Sequence, residues 1–173
     1  MNNLIISQIF SVFIYTILQV LFLRDMFLFD VAFSFVYIAV LLMLARETEI
    51  ITAMFIGFFM GLFIDFFYNT IGVHASACVL LMYLRPKVLS LTEPSGGYET
   101  WMQPQANIMG FQWFIIYATI LTFSHHFMLF FIEASTFKLF WFTFIKVLAS
   151  TIYTVMLITI FQYIFYPKKV GLR

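Results

Sequence analysis

Residues 57–84 read GFFMGLFIDFFYNTIGVHASACVLLMYL. One apolar run ends near Tyr68, a short polar turn with Asn69 and Gly72 follows, and a second apolar run begins at Val73. A helix of about 20 apolar residues crosses the ~30 Å hydrocarbon core of a bilayer. The pattern therefore predicts two transmembrane helices joined by a tight turn.

The helix after this turn is the shorter one. Its uninterrupted apolar run covers only 73–84, which is less than a span requires. A start near Asn69 and a continuation past Arg85 to Leu91, bent at Pro86, gives a full helix over about 70–90. A re-entrant or interfacial segment is the alternative, and it would leave five spans with the termini on opposite sides of the membrane.

The composition of the whole chain agrees with a membrane location. Of its 173 residues, 64% are hydrophobic and 10% are charged, and the mean hydropathy is +1.02. A soluble domain carries about 25% charged residues, so lipid is the expected surrounding medium. The net charge of +1 provides no polybasic surface for nucleic acid.

Division of the chain at charges, prolines and glycines predicts a single polytopic membrane domain over 1–173, an all-α membrane protein built as a bundle of six transmembrane helices. A polar loop over 86–107 holds three of the four prolines and separates four helices from two. The predicted helices cover 4–23, 27–45, 50–68, 70–90, 108–132 and 139–166.

Lys and Arg concentrate in short cytoplasmic loops, and this rule predicts the orientation. With both termini in the cytoplasm, Arg24 and Lys138 are the basic loop residues on the outer side, and Lys146 lies within a helix. The basic residues on the cytoplasmic side are then Arg46, Arg85, Lys87, Lys168, Lys169 and Arg173.

Ala53, Gly57, Gly61 and Asp65 follow each other at intervals of four residues. On a helix this spacing places them on one face, and small residues let a second helix approach closely. This pattern predicts a helix-packing face that ends in a carboxylate. We expect Asp65 to point into the protein or towards water, because a charge facing lipid is unfavourable.

Several roles are open for Asp65. It could be hydrated or bonded to nearby backbone amides, it could order the turn through Asn69 and Gly72, or it could take part in a proton or ion relay. It could also form an intramembrane ion pair with Lys146, which the predicted topology places at a similar depth. Snorkelling of Lys146 to the outer interface is the alternative to that pair.

His125, His126 and Glu133 do not have the spacing of a metal site, because adjacent histidines project about 100° apart on a helix and Glu133 lies about two turns further on. We expect these histidines, and His74, to be interfacial. Cys78 is expected to be a small buried side chain. No nucleophile elbow, phosphate loop or pair of catalytic carboxylates is present in the sequence, so we predict no enzyme and no cofactor.

Residues 57–84 resemble the signature region of the MreD family of rod-shape-determining proteins, in the motif G-x-x-x-G-x-x-x-D followed by a Gly and a small-residue helix. The matching positions are Gly57, Gly61, Asp65, Gly72 and Ala75. The resemblance implies a fold similar to the membrane substrate-binding subunits of energy-coupling-factor transporters. It also implies a multi-pass protein of the bacterial cytoplasmic membrane that acts in the complex for lateral peptidoglycan synthesis. The implied partners are the single-span protein MreC, the actin-like MreB, the glycosyltransferase RodA and a class B penicillin-binding transpeptidase.

The alternative function is that of a small-molecule (vitamin) binding membrane subunit of a transporter, which the fold kinship allows. A ligand cavity requires convergent polar groups. Beyond Asp65, His125, His126 and Glu133, the predicted outer half consists mostly of Phe, Leu and Ile, so the sequence favours the scaffold over this alternative.

Overall fold

A computed structural model describes residues 2–165, with side chains from Phe10 onwards. The chain is mostly helical, and its β-structure in this range is one short antiparallel hairpin. The elements are α1 (Asn2–Ile17), which continues as a π-helix (Leu18–Leu23), β1 (Phe27–Leu28), β2 (Ala32–Phe33), α2 (Ile38–Leu42), α3 (Ile50–Tyr68), α4 (Val73–Leu91), α5 (Ala106–Met109), α6 (Phe111–Ala134) and α7 (Phe140–Phe165).

Three helices, α3, α6 and α7, are long and apolar enough to cross a membrane. Their exposed surfaces are rich in Phe, Ile and Leu, as a surface in contact with lipid requires. The chain is therefore a helical membrane protein. Helix α4 is as long as α3 but carries Arg85 and Lys87 and is less apolar.

Helices that follow each other in the chain pack together, α3 against α4 and α6 against α7, and α4 packs on α6. The β-hairpin, the α3–α4 turn and the last turns of α6 lie at one end of the bundle, because residues from all three line one cavity. We call this the hairpin end. At the opposite end, the Arg46 guanidinium donates to the Glu99 carbonyl oxygen at 3.2 Å.

The predicted second helix over 27–45 is wrong as a continuous helix. The chain turns through β1 and β2, passes through a second turn at residues 36–37, and forms only the short α2. Phe29 and Asp30, in the hairpin turn, have positive φ angles of 56° and 57°, which interrupt any helix. Nevertheless, residues 35–44 are almost completely buried, so this segment forms the centre of the bundle.

Side chains replace the helical hydrogen bonds of this buried segment. The Ser150 hydroxyl accepts from the Phe33 amide at 2.9 Å, and the Thr154 hydroxyl accepts from the Phe35 amide at 3.1 Å. Gln19, on the π-helix, accepts from the Val36 amide at 2.7 Å and donates to the Ser34 carbonyl at 3.0 Å. Non-helical backbone is tolerated at membrane depth where protein surrounds and bonds it, as here.

The predicted helix over 70–90 agrees closely with α4, which passes through Pro86 and ends at Leu91. The predicted loop over 86–107 therefore begins too early. Arg85 is only 1% exposed and is not a loop residue. Its guanidinium donates to the Tyr117 hydroxyl at 2.9 Å and to the Leu44 carbonyl. This cation therefore anchors the end of residues 31–44, which we call the irregular segment.

Arg85 is therefore not one of the basic loop residues on which the predicted orientation depends. Lys168, Lys169 and Arg173 lie outside the described residues, as does the last residue of the predicted span over 139–166. The other predicted spans agree with the structure within a few residues, since 50–68 matches α3 and 108–132 matches α6.

Candidate functional site

A cavity of about 290 Å³ opens at the hairpin end between the hairpin, α3, α4, α6 and α7. Four charged side chains line it, in a chain with few charges. These are Arg24, Asp25, Glu133 and Lys146. Aromatic rings form much of the remaining wall, and they belong to Phe27, Phe33, Phe35, Tyr68, His74 and Phe130.

Both cations of the cavity lie against aromatic faces. The Lys146 Nζ is 4.5 Å from the ring centroids of Phe33 and Phe130. The Arg24 Cζ is 5.5 Å from the ring centroid of Tyr68. The negative face of an aromatic ring attracts a cation, and such contacts hold the two side chains in place without using their hydrogen-bond donors.

Lys146 also contacts a carboxylate, since its Nζ lies 3.4 Å from Glu133 Oε2. The Lys146 side chain is 20% exposed and that of Glu133 is 52% exposed, so the pair is partly open to solvent. The structure does not show the predicted pair between Asp65 and Lys146. The prediction relied on similar depth alone, whereas Glu133 lies on the helix that packs directly against α7.

Asp65 instead binds the first turn of α4. Its carboxylate accepts hydrogen bonds from the backbone amides of His74 at 3.0 Å and Ala75 at 3.1 Å, and from the Thr70 hydroxyl at 2.5 Å. The residue before α4 is Gly72, which has no side chain to cap the helix, and its φ of 77° sets the turn. Asp65 therefore performs the capping role that an N-cap side chain normally has.

The small-residue face of α3 packs against α4 of the same chain. A Cβ atom on Gly61 would lie 2.6 Å from the Ala75 nitrogen, so α3 and α4 touch backbone to backbone at this point. A Cβ atom on Gly57 would lie 2.8 Å from Met82 Cγ. Ala53 and Ala75 are both 2% exposed. The face is thus a helix-packing face, but α4 already occupies it.

Below the cavity, three polar side chains form a buried chain of hydrogen bonds. The Tyr37 hydroxyl lies 2.9 Å from His74 Nδ1 and 2.8 Å from His125 Nε2. A hydroxyl carries one proton, so Tyr37 donates to one imidazole and accepts from the other. The Cys78 Sγ lies 3.7 Å from both Tyr37 and His125. This network holds His74, the one of its members that lines the cavity, in place.

The predicted interfacial position of the histidines is wrong. His125 and His126 are fully buried and His74 is 2% exposed. The Phe35 ring packs against all three imidazoles, with the centroid distance to His74 at 5.3 Å. Within the described part of the chain, no group of three or more His, Cys, Asp or Glu side chains is arranged to hold a metal ion.

Three residues that support the cavity wall from behind lie outside the predicted site. The Ser150 and Thr154 hydroxyls accept from the Phe33 and Phe35 amides, and Gln19 bonds the backbone of the neighbouring Ser34 and Val36. All three are polar residues within apolar runs, and Ser150 and Thr154 are four residues apart, on one helix face. That spacing is the sequence pattern that indicates a polar face on this apolar helix.

Comparison with known proteins finds no family model, no curated protein and no solved structure that matches this chain. The resemblance of residues 57–84 to the MreD family therefore stays a prediction.

Proposed function

We propose that this chain is a non-catalytic membrane scaffold of the bacterial elongation complex, as the resemblance to MreD implies. In this role it regulates cell shape and lateral peptidoglycan synthesis together with MreC, in contact with MreB, RodA and a class B penicillin-binding transpeptidase. The observation that carries the proposal is the α3–α4 pair. The residues of the resemblance form a close internal contact, and the opposite face of α3 remains exposed and rich in Phe.

The proposed topology has six crossings of the cytoplasmic membrane and both termini in the cytoplasm. The second crossing, predicted over 27–45, is formed by a segment whose residues 35–44 are surrounded by protein instead of lipid. Arg46 and Lys87, far from the hairpin end, support a cytoplasmic location for the opposite end. The hairpin end then faces outwards, where the larger part of MreC lies.

An apolar groove between α1 and α3 supports a docking role for the exposed face of α3. It has a volume of about 610 Å³ and is lined by Phe13, Phe55, Phe59 and other apolar side chains. The Thr16 hydroxyl in this groove is buried and has no hydrogen-bond partner among the described residues. Close packing and hydrogen bonds to hydroxyls hold membrane helices together. We assign the groove to the single membrane-spanning helix of MreC.

The test is co-purification with tagged MreC from membranes that contain both proteins, in a mild detergent. Thr52→Trp places a large ring in the groove without touching the core, because Thr52 is exposed on α3. Ile145→Trp is the matched control on α7, where Ile145 is 54% exposed. We expect Thr52→Trp to lower the recovered MreC at least fivefold and Ile145→Trp to leave it unchanged.

Equal recovery of MreC with both variants would reject the groove as the docking site. Absence of any MreC in the wild-type preparation would count against the scaffold itself. Cell shape gives a second readout, because a chain that cannot dock MreC should produce rounded cells.

The second candidate function is the small-molecule binding subunit of a transporter. The hairpin-end cavity favours it, because charged groups do converge there, although the sequence predicted an apolar outer half. Recovery of a pair of transporter ATPases instead of MreC from the same membranes would support this function.

A further inference from the structure

The two cations of the hairpin-end cavity have unused hydrogen-bond donors. The Arg24 guanidinium makes no hydrogen bond or ion pair with the described residues, and its contact in the cavity is the Tyr68 ring. Lys146 has one long contact, at 3.4 Å to Glu133, and otherwise lies over two rings. A guanidinium presents five N–H donors and an ammonium presents three. The carboxylate or phosphate group of a ligand would accept hydrogen bonds from these donors.

The cavity also presents two carboxylates, Asp25 and Glu133. Asp25 has no hydrogen bond to the described residues, and the Glu133 side chain is half exposed. Two cations and two carboxylates give the charged walls a balanced formal charge. A ligand with one charge of each sign fits this wall, whereas a plain anion or cation would satisfy only one half of it.

The remaining wall is suited to a flat apolar group. The Phe35 ring lies 5.3 Å from that of His74 and 6.0 Å from that of Tyr68, measured between centroids. Offset and edge contacts between rings at such distances are favourable, and the ring of a ligand can join these three. The cavity volume of about 290 Å³ lies at the lower end of the range of ligand pockets, so the ligand is small.

We propose that the hairpin-end cavity binds a small zwitterion, in which an ammonium and an anionic oxygen group are carried on a flat apolar body. Arg24 and Lys146 receive the anionic group, and Asp25 and Glu133 receive the ammonium. The aromatic wall receives the apolar body. The proposal concerns the ligand class of the second candidate function and is independent of whether MreC docks in the α1–α3 groove.

The test uses the purified full chain in nanodiscs of phosphatidylglycerol, whose headgroup has no ammonium. Binding is measured by calorimetry for L-phenylalanine, for 3-phenylpropionate, which lacks the ammonium, and for phenethylamine, which lacks the carboxylate. We expect L-phenylalanine to bind at least tenfold more tightly than either analogue. No binding of any of the three, or equal affinities, would overturn the proposal.

Two variants separate binding from folding. Arg24→Met should weaken L-phenylalanine at least fivefold and leave phenethylamine unchanged. Glu133→Gln should weaken L-phenylalanine similarly and leave 3-phenylpropionate unchanged or tighter, because Lys146 is then free. Lys138→Met, a cation outside the cavity lining, is the control and should change nothing. The thermal-unfolding midpoint identifies a variant that has lost its fold. An identical loss for all three ligands in both variants, at the wild-type midpoint, would reject the assignment.

A phosphatidylethanolamine headgroup carries the same pair of charges without the flat apolar body, so it can compete with a free solute for the charged walls. The same titration in phosphatidylethanolamine nanodiscs tests this competition. Loss of L-phenylalanine binding in these discs identifies the headgroup as the competitor, and retained binding identifies a free solute. Either outcome supports the site, provided that the preference for the zwitterion is seen in phosphatidylglycerol.

Discussion

The carboxylate of Asp65, near the end of α3, accepts the backbone amide of Ala75, in the first turn of α4, at 3.1 Å. Because the same carboxylate also accepts from the amide of His74, one side chain fixes both the turn and the start of the next helix. Asp65 is 3% exposed, so water cannot replace these bonds.

We expect Asp65→Ala to lower the free energy of unfolding by about 1–3 kcal/mol, the range for buried donors left without an acceptor. Asp65→Asn keeps one acceptor oxygen and should show a smaller loss. Thermal unfolding in detergent measures both. Glu93→Ala, an exposed carboxylate in the loop after α4, is the control. The same loss in Glu93→Ala and Asp65→Ala would contradict the capping role.

The close approach of α3 and α4 predicts which glycine variants destabilise the protein most. Gly61→Ala should be the most destabilising, by roughly 1–3 kcal/mol, because its Cβ would meet the backbone of Ala75 and the helices must move apart. Gly57→Ala should be milder, since its nearest neighbour is the flexible side chain of Met82. Gly96→Ala has open space around it and serves as the control. Denaturation midpoints in a different order would reject this contact.

The irregular segment depends on hydroxyls of α7. Thr154→Val removes the acceptor of the Phe35 amide, and we expect a loss of about 1–3 kcal/mol in the free energy of unfolding. Thr151→Val is a matched control on the same helix. Thr151 is also buried, but its hydroxyl donates only to the Val147 carbonyl one turn earlier, so its loss should be smaller. Equal losses would show that the segment does not depend on Thr154.

The buried Arg85 depends on a tyrosine hydroxyl. Tyr117 accepts from the Arg85 guanidinium at 2.9 Å and donates to the Leu42 carbonyl at 2.9 Å. Tyr117→Phe leaves a charged donor without one acceptor, so we expect a loss of about 1.5–3 kcal/mol, as for hydrogen bonds to charged groups. Tyr153→Phe on α7 is the control and should unfold like the wild type. An unchanged midpoint for Tyr117→Phe would mean that Arg85 finds another partner.

The hydropathy of the sequence predicts α3, α6 and α7 well, because each apolar run is bounded by polar or charged residues. For α4 the apolar run covers only 73–84, whereas the helix continues past Arg85 and Pro86 to Leu91. Hydropathy fails for 27–45. Hydropathy reports that a segment avoids water, but not whether its amides are bonded within a helix or to side chains. The acceptor of the Phe33 amide, Ser150, is 117 positions further along the chain, beyond the reach of any local pattern.

Only part of the candidate site could be predicted, because local spacing does not show which distant residues meet. Asp65 extends a pattern of four-residue steps on one helix, so its inward orientation follows from local spacing. The partner of Lys146 depends on which helices pack together. Glu133 is near in sequence, 13 positions before Lys146, yet the α6–α7 connection must fold back before the two can meet.

The dependence of the irregular segment on α7 has a consequence for the order of biosynthesis. Phe33 and Phe35 leave the ribosome long before Ser150 and Thr154 do, and in lipid the amides of these two residues would lack their acceptors. They must wait in water, in the translocation channel or beside another protein until the last helix arrives. We expect the Ser34→Cys side chain to react with a membrane-impermeant thiol reagent in a chain cut before Phe140, and to be protected in the complete chain. Completion of the last helix would then be the event that closes the bundle.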